Sequence, residues 1–386
     1  MLTAGQILQL IRHGTCRTRK ELIAYTGLSR STITERVDRL IEAGYIHESG
    51  VGTSGGGRPP SVLDVDATNR LVLVADLGAS HARVALTDLA ARPMAEEHAE
   101  IRIDRGPEAV LSWIRQAFQR LLDRSGRTSA QVCGIGMDLP GSVDHNSGRV
   151  IRSFLMPGWD DYPIGAALRE AFDLPVLVEN DANAMAFGEW WSYWRRSRSL
   201  LLLKVSTGIG TGIVLDGQIY RGVEDAAGNI GHVRLQESDD RVCTCGSRGC
   251  VASLASGHAL ASNLGKQTSR EVVRLVQAGD PTAIALTQEA GRTVGVVLAT
   301  AVSLLNPAVL VLAGDMAETG EHYLTGIRES VYRRSLPYTT RNLEIVNSSL
   351  GDRAGIVGTA VLVIEHVLSP AAVDAALAGP PRTNAV

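Results

Sequence analysis

The chain has 386 residues, 45% of them hydrophobic and 20% charged, with a net charge of −3. That balance is globular, is too long for one ordinary domain, and excludes a protein that is basic throughout, so any nucleic-acid contact must be local. No apolar run reaches the roughly 18 residues a membrane span requires, and the opening MLTAGQILQLIRHG lacks the order of a secretory signal; a cytoplasmic protein with no membrane contact is expected.

Residues 1–48 read as short helices. Ile7, Leu8 and Ile11 form a helical stripe, Thr18 caps a second helix carrying Leu22 and Ile23, and Gly27 supplies a turn. Ser29 caps a third helix whose apolar face is Ile33, Val37, Leu40 and Ile41. Tyr45-Ile46 then starts a strand, GVGTSGGGRPP is a glycine-rich tip, and Ser61-Val62-Leu63 returns as a second strand, a β-hairpin wing. These are the parts of a winged helix-turn-helix over residues 1–66, with the third helix entering the major groove of a double-stranded DNA operator. Its apolar positions are committed to the core, which leaves Arg30, Ser31, Thr32, Thr34 and Arg36 facing outward. Arg58, in Gly57-Arg58-Pro59, is suited to a narrow minor groove. Residues 1–60 hold eight Lys/Arg against five Asp/Glu, a local +3 that fits phosphate attraction. The competing reading is a helical dimerisation module; period, caps, turn and basic tip agree on the DNA reader. A homodimer or homotetramer is expected, because one such module offers a small interface.

From about residue 70 strands and helices alternate. Leu71–Ala75, 83–87, 132–137, Val176–Val178, 200–205, 212–215 and 308–313 read as strands, and 107–124 and 282–305 as helices. The class is α/β, over residues 70–368. The Ala- and Pro-rich remainder, 369–386, is expected to be a loose tail.

Four stretches carry chemistry. Asp76-Leu77-Gly78-Ala79-Ser80 follows a strand. Asn180-Asp181 ends another, where a carboxylate can act as a base or simply cap a helix. Ser206-Thr207-Gly208-Ile209-Gly210-Thr211-Gly212 is either a phosphate-cradling loop or a tight hairpin. His232 with Cys243, Cys245 and Cys250 makes a Cys₃His set, the closed composition of a structural zinc site rather than a catalytic one.

Together these stretches resemble the ROK family of sugar kinases and sugar-responsive repressors. The resemblance implies a two-lobed, sugar-kinase-like domain of the actin/hexokinase ATPase type behind the winged helix-turn-helix. It implies one structural Zn²⁺ per chain on His232, Cys243, Cys245 and Cys250, and a ligand cleft lined by Asn180, Asp181, Asn229 and His232. In family kinases the residue matching Asp181 is the general base and the one matching Asn180 binds the sugar. The chain departs from the kinase pattern at several places: Ala79, Ser80, Ser206, and Leu312-Ala313-Gly314-Asp315 where a Gly-Gly pair is usual. Asn229 and Ala252 stand where sugar binders carry Glu, which weakens or redirects sugar binding. The expected function is therefore a repressor-like transcriptional regulator, not an enzyme, with DNA affinity modulated by a sugar or sugar derivative. The alternatives are an active sugar kinase using Asp181 as base and a ligand-independent DNA-binding regulator.

Overall fold

Thr3 begins the first helix with a reciprocal cap: its hydroxyl accepts from the Gln6 N–H while the Gln6 side chain accepts from the Thr3 N–H. The computed structural model describes residues 2–51, 61–152, 156–235 and 241–379. Helices α1 (Ala4–Arg12), α2 (Arg19–Thr26) and α3 (Arg30–Glu42) bury Ile7, Leu8, Ile11, Leu22, Ile33, Val37 and Leu40 against one another. The antiparallel pair β1 (Ile46–Val51) and β2 (Ser61–Val65) completes the head.

The next elements build the first lobe. They are β3 (Leu71–Leu77), β4 (Ala82–Asp88), β5 (Pro93–Ala99), α4 (Pro107–Arg124), β6 (Val132–Leu139), the small hairpin β7 (Ser142–Asp144) and β8 (Arg149–Arg152), α5 (Ile164–Phe172) and β9 (Val176–Asn180). The five-stranded sheet runs β5-β4-β3-β6-β9, with β3, β6 and β9 parallel. Val110, Ile114, Phe118 and Leu168 from α4 and α5 cover one face. Helix α6 (Asp181–Tyr193) then leads to the second lobe.

That lobe holds β10 (Ser199–Val205), β11 (Ile209–Leu215), β12 (Gln218–Ile219), α7 (Val251–Ala255), α8 (Gly257–Asn263), α9 (Ser269–Gln277), α10 (Pro281–Leu305), β13 (Val309–Ala313), α11 (Glu321–Arg334), α12 (Pro337–Thr340) and β14 (Glu344–Asn347). Its sheet runs β12-β11-β10-β13-β14. The outer face is covered by α10 and α11. The chain closes with α13 (Ala354–Val367) and α14 (Pro370–Ala378).

Helices α6 and α13 lie between the two sheets and cross closely. A Cβ on Gly358 would stand 1.7 Å from the Ala184 carbonyl oxygen, and one on Gly188 would stand 2.5 Å from that of Ala354. Only glycine allows backbones this close, so the two helices pack backbone against backbone. The core between the sheets continues into the head, joining Val72, Leu202, Phe187 and Val361 to Ile7 and Leu8.

The expected loose tail is corrected over 369–379. Ser369 caps α14 through the Ala372 N–H at 3.3 Å, and Pro370 occupies the first turn, where its missing N–H costs nothing. The helix docks on α1: the Gly5 N–H donates to Asp374 at 2.8 Å, Arg39 donates to the Leu377 carbonyl at 3.0 Å, and Val373 is buried. No single helix among the described residues is long and apolar enough to cross a membrane.

Candidate functional site

In the head, Ser29 is extended and its hydroxyl accepts from the Thr32 N–H at 3.2 Å, which starts α3 where the sequence predicts. Arg30 and Ser31 are exposed, and Thr32, Thr34 and Arg36 are half-buried. The Ser29 hydroxyl lies 2.9 Å from that of Ser31 and 2.8 Å from that of Thr32, fixing three polar groups at the helix start. Arg36 departs from the expectation. Its guanidinium donates to the Leu2 carbonyl and ties α3 to the entry of α1. Arg58 lies outside the described residues. Some of the local positive charge is consumed inside the head, where Arg19 pairs with Asp38 at 2.8 Å and with Glu48 of β1.

Between the lobes, the parallel register sets Asp76 of β3 beside Asp138 of β6. Asp138 is fully buried; Thr359 of α13 donates to its Oδ2 at 2.7 Å, and its Oδ1 has no donor. Burial first, and then the Asp76 carboxylate, push the Asp138 carboxyl well above the usual carboxylate range. A proton held there relieves the carboxylate pair.

Asn180, not Asp181, caps α6: its Oδ1 accepts from the Asn183 N–H at 3.2 Å while its Nδ2 donates to the Gly141 carbonyl at 3.1 Å. Asp181 is the first helical residue, buried, and accepts from the Ala182 N–H at 2.7 Å through Oδ1. Its Oδ2 takes the ammonium of Lys204, which rises from β10 in the opposite lobe. Burial opposes the charge on Lys204, but Asp181 and Asp76 more than offset it and raise the lysine's pKa. Glu179, next in line, receives Arg221 at 2.9 and 2.6 Å. Ion pairs from the second lobe therefore flank Asn180 on both sides. Sequence reasoning singled out Asp76, Asn180 and Asp181 but missed Lys204, Asp138 and the Glu179–Arg221 pair. A charge inside the apolar runs Leu200–Val205 and 132–139 was the available signal.

The glycine stretch is a hairpin. Only 206–208 turn, closed by the Ser206 N–H to the Gly208 carbonyl at 3.0 Å, while Ile209–Gly212 belong to β11. Gly212 is required by packing, since a Cβ there would lie 2.2 Å from the Ala182 carbonyl oxygen. In the first loop the His81 ring closes against Gly78, where a Cβ would stand 2.2 Å from its Cε1. Asn229 is exposed, with its amide donating to the Ala226 carbonyl at 3.0 Å, and Ala252 is half-buried.

The four expected metal ligands meet. One ligand atom from each of His232, Cys243, Cys245 and Cys250 lies within 4.8 Å of the others. Cys245 and Cys250 sulfurs are 3.8 Å apart, and His232 Nδ1 is 3.5 Å from the Cys243 sulfur. Thiolates about 2.3 Å from a tetrahedral ion stand roughly 3.8 Å from each other, so the spacing fits a metal and is far too long for a disulfide. Burial holds the His232 imidazole below its ordinary pKa, favouring the neutral form that ligates. The cluster can hold one metal ion.

Residues 72–366 match the ROK family. The chain belongs to the ROK family. Residues 2–54 match the MarR family, which makes the head a MarR-type winged helix. The chain is similar to the xylose repressor of Caldicellulosiruptor bescii, at 29% identity over 384 residues covering 94% of this chain and 95% of that protein. A solved ROK family transcriptional regulator, a homologue of the E. coli Mlc protein, shares the fold with a TM-score of 0.81 at 24% identity, covering 98% of each chain. The ROK hexokinase of Thermus thermophilus covers 77% of this chain and 99% of its own, with 32% identity and a TM-score of 0.62.

In this ROK chain, α6 and α13 both run from the ion pairs between the lobes to the head. α6 starts at Asp181 and carries Trp191 near its end, 5.8 Å from the Arg12 guanidinium of α1. α13 meets the first-lobe carboxylates at Gly355, against Asp76, and at Thr359, which donates to Asp138. Two turns later its Glu365 receives Arg12 at 3.1 and 2.6 Å, and just beyond the helix the Leu368 carbonyl accepts from Gln9 at 2.5 Å.

Proposed function

We propose that this chain is a repressor-type, sequence-specific transcriptional regulator whose affinity for its operator is set by a sugar or sugar derivative in the cleft. The observation that carries the reading is that one pair of crossed helices touches both Asp181 and Arg12. A ligand whose hydroxyl donates a hydrogen bond to Asp181 enters the Asp181–Lys204 contact between the lobes, shifts them, and moves α6 and α13 under the head. The size of the effect is bounded by the ligand's preference for one lobe arrangement. Arg30 and Ser31, exposed at the start of α3, would read the operator, and Arg58 would be the minor-groove contact. Paired heads in a homodimer or homotetramer would read two half-sites. His232, Cys243, Cys245 and Cys250 would hold one structural zinc ion, which when bound staples the 232–250 loop to the start of α7.

The kinase alternative is disfavoured by Lys204, whose ammonium occupies the Asp181 oxygen that a base needs free. Genome-wide mapping of bound DNA, paired with a coupled ADP-release assay across a sugar panel, tests the reading. Discrete bound sites without sugar-dependent ADP release support it. ADP release at enzymatic rates, with no discrete sites, overturns it.

A further inference from the structure

We propose that Lys204 is a ligand-reading residue: with Asp181 it forms the donor–acceptor pair for one hydroxyl of an uncharged sugar, and the carboxylates around it select against phosphorylated and carboxylated sugars. The inference rests on the reading of the cleft as a sugar sensor, and it names the chemical class of the ligand.

A sugar hydroxyl both donates and accepts. Asp181 offers acceptance, but a hydroxyl buried against it alone keeps unsatisfied lone pairs, which costs binding energy. Lys204 supplies the missing donor. Its ammonium has three N–H groups; Asp181 takes one, and no other acceptor receives it among the described residues. The lysine side chain keeps 17% of its surface exposed, against 7% for Asp181, so of the pair the lysine lies nearer to solvent.

The charge around Lys204 sets the second half of the inference. Asp76, Asp138 and Asp181 all act on it. Even with Asp138 counted as neutral, the carboxylates of Asp76 and Asp181 outnumber the single ammonium. Arg270 is engaged with Asp315 at 3.9 Å. A phosphate of about −2 esterified at the hydroxyl that Asp181 reads would add like charge in a buried site, where repulsion is weakly screened. An uncharged sugar meets no such penalty.

Isothermal titration of the full chain with D-xylose, D-glucose and N-acetyl-D-glucosamine, against glucose 6-phosphate, N-acetylglucosamine 6-phosphate and glucuronate, tests both halves. The expected result is binding of a neutral sugar at least tenfold tighter than its charged counterpart. Lys204→Met should weaken the neutral sugar by about tenfold or more, the loss of a charge-assisted hydrogen bond, and Lys204→Arg should recover part of it. A charged sugar bound as tightly as the neutral one, or a Lys204→Met chain that folds and binds equally well, overturns the inference. The neutral-versus-charged comparison uses the wild-type chain and stands even if Lys204→Met fails to fold. Preference for a phosphate ester would leave the sugar-responsive regulator in place, whereas a DNA affinity unmoved by every sugar on the panel would overturn that reading as well.

Discussion

Arg12 and Glu365 join the winged-helix head to the central helix α13 through two hydrogen bonds of 3.1 and 2.6 Å. The Arg12 side chain is 10% exposed and that of Glu365 37%, and the guanidinium also sits 5.8 Å from the Trp191 ring of α6. One head residue therefore contacts both central helices, α6 and α13. Arg12→Ala is expected to lower stability by about 1–3 kcal/mol, because a mostly buried charge-assisted pair is lost. It should also shrink the change in DNA affinity that a sugar produces, without changing the sugar's own affinity more than severalfold. Thermal melting, sugar titration and DNA titration on the same variant separate these effects. An Arg12→Ala chain with a full sugar response would remove Arg12 from the coupling path.

Arg30 is exposed at the start of α3, with no partner among the described residues. Its replacement by Ala should leave stability within about 0.5 kcal/mol while weakening binding to a specific site by about 1–3 kcal/mol. Anisotropy titrations at two salt concentrations distinguish a base contact, which relaxes sequence preference, from a phosphate contact, which lowers the salt slope. Equal affinity for wild type and variant would place the recognition elsewhere on the head.

The His232, Cys243, Cys245 and Cys250 cluster predicts close to one zinc per chain by elemental analysis. Cys245→Ser should lower the zinc content and the melting temperature together, because metal affinity here is folding energy. Metal-free protein with an unchanged melting temperature would contradict a structural role.

Asp138 predicts a pH signature. Its folded pKa is raised by burial and by Asp76, so in the window between the ordinary Asp value and the raised one the native state binds more protons than the unfolded chain. The contribution is fully present below the unfolded pKa and is lost as pH rises through the folded one. Asp138→Asn copies the protonated form. It should flatten the loss of stability with rising pH and lift the melting temperature at pH 8 by roughly a few degrees. A variant that melts lower than wild type at pH 8 would mean that Asp138 is held ionised.

Local features were legible in the sequence. Ser29 and Thr18 cap the helices that their hydroxyls announced, and the Cys₃His spacing brings four ligands together, because each depends on neighbours close in the chain. Asn180 shows the limit of that local grammar: adjacent to Asp181, it takes the cap because its extended backbone aims its oxygen at the Asn183 N–H. Long-range pairings were not legible. Lys204 meets Asp181 only when two lobes fold around α6, and Arg36 meets Leu2 only when α3 lies across the entry of α1. The tail misled because its Ala and Pro content reads as disorder. Its order comes from docking of α14 on α1, a tertiary contact 369 residues apart at Gly5 and Asp374.

The most direct test is the affinity of the full chain for a DNA fragment recovered from its genomic binding sites, measured by fluorescence anisotropy with and without each sugar of the panel. The coupled cleft-and-head account predicts sequence-specific binding that one neutral sugar changes by about tenfold or more, corresponding to about 1.4 kcal/mol of coupling. Specific binding that no sugar alters would contradict it and leave a ligand-independent DNA-binding protein.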